Sequence, residues 1–314
     1  MSFSLTVLGS SSAVPTSGRF PAAHVLNVHE RYFLIDCGEG TQIQLRRYRF
    51  RFGKINHIFI THLHGDHIFG LFGLISTLSL LGKTTDLHIY ANPKLEKIME
   101  VVQPYFFEHP LPFKIVFHPT GSSKQQTIFE DEMVIVKTIP LKHRIPTTGF
   151  LFREKKRPLN IKKEAIEFYD IPVRKIQSIK SGSDFTTAER KIIPNHKLTL
   201  PPWKQRSLAY CSDTAYSERI IKYIENVDIL YHEATYGSDM KERAHETFHS
   251  TAGEAAMLAK KANVEKLIIG HFSARYKSVA PLLEEAREIF PETFAAEEGE
   301  IHSVVQKRIK RGDQ

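Results

Sequence analysis

Residues 58 to 67 read Ile58-Phe59-Ile60-Thr61-His62-Leu63-His64-Gly65-Asp66-His67. The apolar, partly β-branched run at 58 to 60 predicts a buried strand, and the residues after it form an HxHxDH cluster. Imidazole nitrogens and a carboxylate this closely spaced suit a divalent metal, zinc above all, and chance is a poor account of the pattern. An extended chain alternates its side chains, so His62 and His64 project the same way and can face one ion. Gly65 permits a tight turn, after which Asp66 and His67 open a helix and can reach a second ion. The stretch therefore predicts a sheet whose strand ends carry metal chemistry.

Working outward, the same arrangement recurs. Tyr32 to Ile35 predicts a strand ending at Asp36, paired with Val25 to Val28 through a turn at His29 and Glu30. Met133 to Ile139 predicts a strand leading to His143, Ser207 to Cys211 one ending at Asp213, Asp228 to Tyr231 one ending in His232-Glu233-Ala234-Thr235-Tyr236, and Lys266 to Ile269 one ending at His271. Between them, helices are expected over Gln42 to Tyr48, Ile68 to Leu81, Pro93 to Val102, Ser217 to Glu225 and Leu282 to Ile289, with Ser250 or Thr251 capping an Ala-rich helix that runs to Lys261. Strands alternating with helices indicate α/β layers. Strand ends gathered on one rim of a sheet would bring Asp36, residues 62 to 67, His143, Asp213 and His271 together.

The chain has 314 residues, 41% of them hydrophobic, enough for a sizeable core, and no Gly/Ser-rich or Pro-rich linker divides it. A single domain over residues 1–314 is the expectation. The apolar stretch Ile68 to Leu81 is too short to span a bilayer, and the start MSFSLTVLG lacks the basic region of a signal peptide, so a cytoplasmic chain with no membrane partner is expected. Two cysteines, Cys37 and Cys211, exclude a disulfide framework and read as small buried thiols. The net charge of +8 is concentrated: Lys142 to Lys180 holds eleven Lys or Arg against four Asp or Glu. A second basic run, Arg46, Arg47, Arg49, Arg51 and Lys54, alternates with Tyr48, Phe50 and Phe52. Such a run suits a nucleic-acid backbone and its bases, or equally a solvated face.

DCGEGTQ at 36 to 42, THLHGDH at 61 to 67, His143, CSDT at 211 to 214, HEATY at 232 to 236, HST at 249 to 251 and HFSARY at 271 to 276 together resemble the ribonuclease Z family, tRNA 3′-processing endonucleases of the metallo-β-lactamase superfamily. HxHxDH by itself marks only the superfamily; HEATY, HST and HFSARY narrow it, and the resemblance spans essentially the whole chain. It implies an α/β fold of the αββα four-layer type, with metals at one edge of two sheets. It also implies a zinc-dependent endoribonuclease that removes the 3′ trailer of precursor tRNA by metal-hydroxide attack on a phosphodiester and leaves a 3′-hydroxyl.

Residue by residue, the resemblance makes His62, His64 and His143 ligands of one Zn2+ and Asp66, His67 and His271 ligands of a second, with Asp213 bridging, two ions per subunit. Asp66 would orient the attacking water or take its proton, Asp36 would fix a ligand histidine, and His249 would protonate the leaving oxygen while Glu233 holds its imidazole. Arg275 matches a contact to substrate phosphate. Residues 153–187 correspond to an inserted RNA-binding arm, whose cations are Arg153, Lys155, Lys156, Arg157, Lys162, Lys163, Arg174, Lys175 and Lys180; the Gly/Pro-rich turn usual there is replaced by Asp170-Ile171-Pro172-Val173-Arg174-Lys175. Family precedent further implies a homodimer in which one subunit's arm holds RNA cut by the other. Other histidines, His109 among them, match no site. Two further readings of the same residues stand beside this one: hydrolysis of a small phosphodiester, lactone or sulfate ester, and an RNA-binding module with a vestigial site. Manganese or iron would also suit a carboxylate-bearing shell.

Overall fold

A computed structural model describes residues 2–107 and 110–309; His109 lies outside them. The described chain divides into two compact units. Of the described residues, one holds 2–107, 110–130, 134–153 and 207–304, and the other 131–133, 154–206 and 305–309.

The first unit is built on two sheets of seven strands each. The strands are β1 (Phe3–Gly9), β2 (Ala23–Val28), β3 (Arg31–Ile35), β4 (Ile55–Phe59), β5 (Leu87–Ala91), β6 (Ile115–Pro119), β7 (Thr127–Glu130), β8 (Val134–Pro140), β9 (Thr148–Glu154), β10 (Ser207–Cys211), β11 (Ile229–Glu233), β12 (Leu267–Gly270), β13 (Thr293–Ala295) and β14 (Ile301–Ser303). One sheet runs β14-β1-β2-β3-β4-β5-β6 and the other β13-β12-β11-β10-β9-β8-β7. In the first, β3 to β6 are parallel; in the second, β10 to β13 are parallel. The hairpin of β2 and β3 turns through His29 and Glu30 as expected, both with positive φ (52° and 65°). That is the two-residue geometry whose twist suits right-handed strands.

Side-chain alternation sorts each strand between two cores. Phe3, Leu5 and Val7 of β1 and Phe33 and Ile35 of β3 face the partner sheet, where Phe150, Phe152, Leu208 and Tyr210 meet them. Leu8, Leu34 and Ile58 face the opposite way, toward helices α1 (Thr41–Arg47), α2 (Gly65–Leu80) and α3 (Lys94–Phe106). In α2 the buried residues Ile68, Leu71, Leu74, Ile75 and Leu78 recur at helical spacing, so one stripe packs on the sheet. Helices α4 (Ala252–Lys261) and α5 (Ala280–Ile289) cover the second sheet through Ala252, Ala255, Ala256, Leu282 and Ala286. The layers are αββα, as the motifs implied. Thr251 starts α4 with a capping box: its hydroxyl accepts the Glu254 N–H at 3.2 Å and the Glu254 carboxylate accepts the Thr251 N–H at 3.0 Å.

Some boundaries moved. Residues 217–225 form a 3₁₀ turn (Glu218–Ile220) and one α-turn (Ile221–Ile224) without a Ser217 side-chain cap, because Asn226 at φ 57° ends the segment before a longer helix can form. Pro93 caps α3 from outside its first turn. Strands β7, β9, β13 and β14 were not anticipated; β9 is buried at nearly every position, so its residues carry no alternation to reveal it.

The second unit has its own small core of Ala165, Ile171, Ile179, Phe185, Ile193 and Leu198, drawn from helices at Lys163–Phe168 and Val173–Lys180 and a short ladder of Phe185–Thr186 with Ile192–Ile193. It contains most of segment 153–187 and extends to Arg206. Its buried carboxylate, Glu154, accepts from Arg206 Nη2 at 2.8 Å, Nε at 2.9 Å and N–H at 2.9 Å, and from Arg157 Nη2 at 2.7 Å. Bidentate pairing of this kind is what allows a carboxylate to be buried. Arg157 is thus an internal partner, and Lys162 donates to the Lys197 carbonyl, whereas Arg153, Lys156, Lys163, Arg174 and Lys175 are exposed.

Candidate metal centre

The carboxyl ends of β3, β4, β10, β11 and β12 converge, so the residues just beyond them share one rim, as binding sites of open α/β sheets do. Two donor groups with no residue in common result, and a third, of Asp213, His249 and His271, overlaps them. In one, ligand atoms of His62, His64, His143 and Asp213 all lie within 4.8 Å of one another; in the other, those of Asp66, His67 and His271 do. Asp213 serves both sides. Its Oδ2 faces His62 Nε2 at 3.5 Å and His143 Nε2 at 3.7 Å, while its Oδ1 faces His67 Nε2 at 3.4 Å and His271 Nε2 at 3.2 Å. Asp66 Oδ2 closes the second group, 3.5 Å from His67 Nε2 and 3.4 Å from His271 Nε2. All seven residues expected as ligands are brought together.

The far ring nitrogens are occupied, which fixes the tautomers. His67 Nδ1 donates to Asp36 Oδ2 at 2.9 Å, His143 Nδ1 to the Phe248 carbonyl at 2.9 Å, and His271 Nδ1 to Thr235 Oγ1 at 3.0 Å. Each bond turns Nε2 toward the cluster, the nitrogen left for a metal once any proton on it is displaced. His62 Nδ1 lies 3.0 Å from Thr61 Oγ1. Asp36, fully buried, also accepts the Thr61 N–H at 2.8 Å and hydroxyl at 3.0 Å, and its backbone is left-handed at φ 56°. Phe248, at φ 60°, is a second strained residue, held so that its carbonyl meets His143.

Electrostatics test whether a cation fits. Burial lowers the basicity of His62, His64 and His143, so they stay neutral and able to donate a lone pair. At His67, burial is outweighed by Asp36, Asp213 and Asp66, which hold the imidazole well above its usual range. For Asp66 and Asp213 burial favours the neutral acid, yet the surrounding imidazoles keep both carboxyls well below theirs. Carboxylates concentrated in this way need positive charge nearby. A divalent ion bound to the Nε2 atoms and the Asp oxygens supplies it, and a His-rich set with oxygen donors suits zinc.

His249 stands beside the clusters between α4 and the preceding turn. Its Nδ1 donates to Glu233 Oε1 at 2.8 Å; burial would lower its pKa, but Glu233, with Asp213 and Asp66, carries it up to about 9. Glu233 is fully buried and receives three further bonds, from Thr214 N–H (2.8 Å), Thr235 N–H (3.1 Å) and Thr235 Oγ1 (2.7 Å). Thr235, within HEATY but given no role from sequence, thereby links Glu233 to His271; only its place at a strand end hinted at this. Another unanticipated contact is the Ala13 N–H, which donates to Asp66 Oδ2 at 2.8 Å. The cleft over the clusters, about 720 Å³, is lined by His64, Asp66, Asp213, His249, His271, Phe69, Arg144 and Arg275, so Arg275 reaches it. In the basic run at 46 to 54 the aromatics pack inward on the α1–α3 core and Arg46, Arg47, Arg49 and Arg51 stay exposed.

The chain is similar to several known proteins. A family model described as "Anti-Pycsar protein Apyc1" matches residues 3–157. A ribonuclease Z of Bacteroides thetaiotaomicron is 49% identical over 296 residues, covering 94% of this chain and 93% of that protein. One from Phocaeicola vulgatus is 48% identical, covering 94% and 96%. Among solved structures, human tRNase Z, short form, superposes with a TM-score of 0.70 at 28% identity over 96% of this chain and 99% of the other. The metallo-β-lactamase fold protein YhfI from Bacillus subtilis reaches 0.68 at 17% identity, covering 97% and 100%, a likeness of fold alone.

Proposed function

Because the chain belongs to the ribonuclease Z family, and so is a metal-dependent endoribonuclease of tRNA 3′ processing, we propose that it removes the 3′ trailer of precursor tRNA at a centre of two zinc ions and leaves a 3′-hydroxyl. The observation that carries the reading is Asp213, one oxygen of which faces each donor group. His62, His64 and His143 would hold one ion and Asp66, His67 and His271 the other. Bound there, two such ions activate water as a nucleophile and offset charge on the phosphate under attack.

The chain's own residues do the rest. Asp66, beside His67 and His271, accepts the proton of the attacking water. Asp36 keeps His67 Nε2 turned toward the cluster. His249 arrives protonated because Glu233 holds its Nδ1–H, and its free Nε2–H gives the proton to the leaving 3′-oxygen. Arg275, exposed at the cleft, clamps a non-bridging phosphate oxygen.

The basic segment 153–187 serves as an arm for the tRNA, through Arg153, Lys156, Lys163, Arg174 and Lys175 above all, and the working enzyme is a cytoplasmic homodimer in which one subunit's arm holds RNA cut by the other. Among the described residues no helix is long and apolar enough to cross a membrane.

The test is end-labelled precursor tRNA incubated with the protein, with chelator, with zinc restored, and with Asp213→Ala. A chelator-sensitive cut at the acceptor-stem end, absent in the variant, is expected; uncut RNA beside active hydrolysis of a small phosphodiester would transfer the assignment to a small substrate. Mixing arm-deleted (155–180) protein with Asp213→Ala protein should restore RNA cleavage that neither has alone, and no restoration would sink the shared-site dimer.

A further inference from the structure

The side chain of Phe69 is 64% exposed on α2, whose neighbouring apolar residues Ile68 and Leu71 are buried. Helical side chains lean toward the helix N-terminus, so its ring reaches back one turn. There it lies over Gly65: a Cβ on Gly65 would fall 2.2 Å from the Phe69 ring. Gly65 separates His64 from Asp66, a ligand candidate of each donor group, so an aromatic face borders both groups on the wall of the cleft. Val14, Pro15, Pro21 and Tyr236 add apolar surface to a wall that otherwise carries the charged and polar groups, and the open Phe69 ring offers a flat apolar occupant a face beside them.

RNA offers such a surface only in its bases. For a phosphate to come within reach of both donor groups, the nucleotide beside it must leave the regular stack, and an aromatic side chain can replace the stacking it loses. We propose that Phe69 is the stacking platform for the nucleobase adjoining the scissile phosphate, and so selects single-stranded RNA at the point of cleavage. The glycine at 65 has a matching purpose, since any side chain there would displace the ring. This inference rests on the ribonuclease reading.

A double-mutant cycle tests it. Three precursor tRNAs are compared: one intact, one abasic immediately 5′ of the cut, and one abasic immediately 3′ of it. Single-turnover kcat/KM is measured for the full-length zinc-loaded protein and for Phe69→Ala. With intact RNA the variant should lose about ten- to a hundredfold, and on one of the abasic RNAs the loss should shrink to about twofold or less, because the stacking partner is already gone. Phe69→Trp should keep most of the rate and Phe69→Leu, equally apolar but without a π face, should lose it. The same loss on all three RNAs, or a Leu variant as fast as the parent, would overturn the proposal while leaving the ribonuclease reading intact. Parent protein that cuts none of the RNAs would overturn both.

Discussion

Replacing Glu233 by Gln tests proton donation by His249. The carboxylate accepts four hydrogen bonds, two on each oxygen, all from donors. An amide can accept at one end only, so either His249 or Thr235 must lose its partner. In the parent, His249 is carried from 6.5 up to about 9, with Glu233 the largest upward influence against burial; without the carboxylate the imidazole falls back toward its ordinary value of about 6.5. At pH 8 the parent is then about nine-tenths protonated and the variant about one-thirtieth, whereas at pH 6 the variant is still about three-quarters protonated. The variant should therefore lose roughly thirtyfold in kcat/KM for precursor tRNA at pH 8 and little at pH 6. Bound cations lower both values and move the window to lower pH, so the reading is that the variant-to-parent ratio changes with pH, wherever on the axis the two profiles part. Bis(p-nitrophenyl) phosphate, whose leaving phenolate departs without a proton, should show no such pH-dependent gap. A variant-to-parent ratio that stays flat from pH 6 to 9 on RNA would refute proton donation by a Glu233-held His249.

Other consequences are equally open to measurement. Asp36→Ala removes the acceptor of the His67 Nδ1–H and should weaken zinc at that site by about ten- to a hundredfold in a chelator competition. Burial alone would raise the pKa of Glu154, but Arg206 and Arg157 outweigh it and bring the carboxyl from 4.5 down to about 2. A depressed carboxylate stabilises the fold above its unfolded pKa. The second unit should therefore lose roughly 3 kcal/mol as pH falls from about 4.5 through 2, visible in acid titration and absent in Glu154→Gln. Thr251→Ala breaks the capping box of α4 and should cost about 1 kcal/mol in thermal unfolding.

The metal ligands were legible because their chemistry is dense and each follows a strand whose apolar run can be read directly. Their supports were harder to see. Asp36 and His67 are 31 residues apart, and Asp36 could be tied to a ligand only through the family resemblance. Thr235 looked like one polar residue among several, since a hydroxyl carries no spacing signature. The alternation of Arg and aromatic residues at 46 to 52 was visible, but only packing shows that Tyr48, Phe50 and Phe52 turn toward the core. Segment 153–187 gave its charge at once, yet charge could not show that Arg157 is held by Glu154.

The hydrogen bonds behind the ligands also bear on which ion is chosen. With the imidazoles of His67, His143 and His271 each anchored through Nδ1, their rotamers are fixed by folding and not by the incoming cation. Binding then carries little further loss of side-chain freedom. An ion of larger radius, unable to draw the donors outward, would be held poorly, so rigidity itself becomes a size filter favouring small cations such as zinc over calcium.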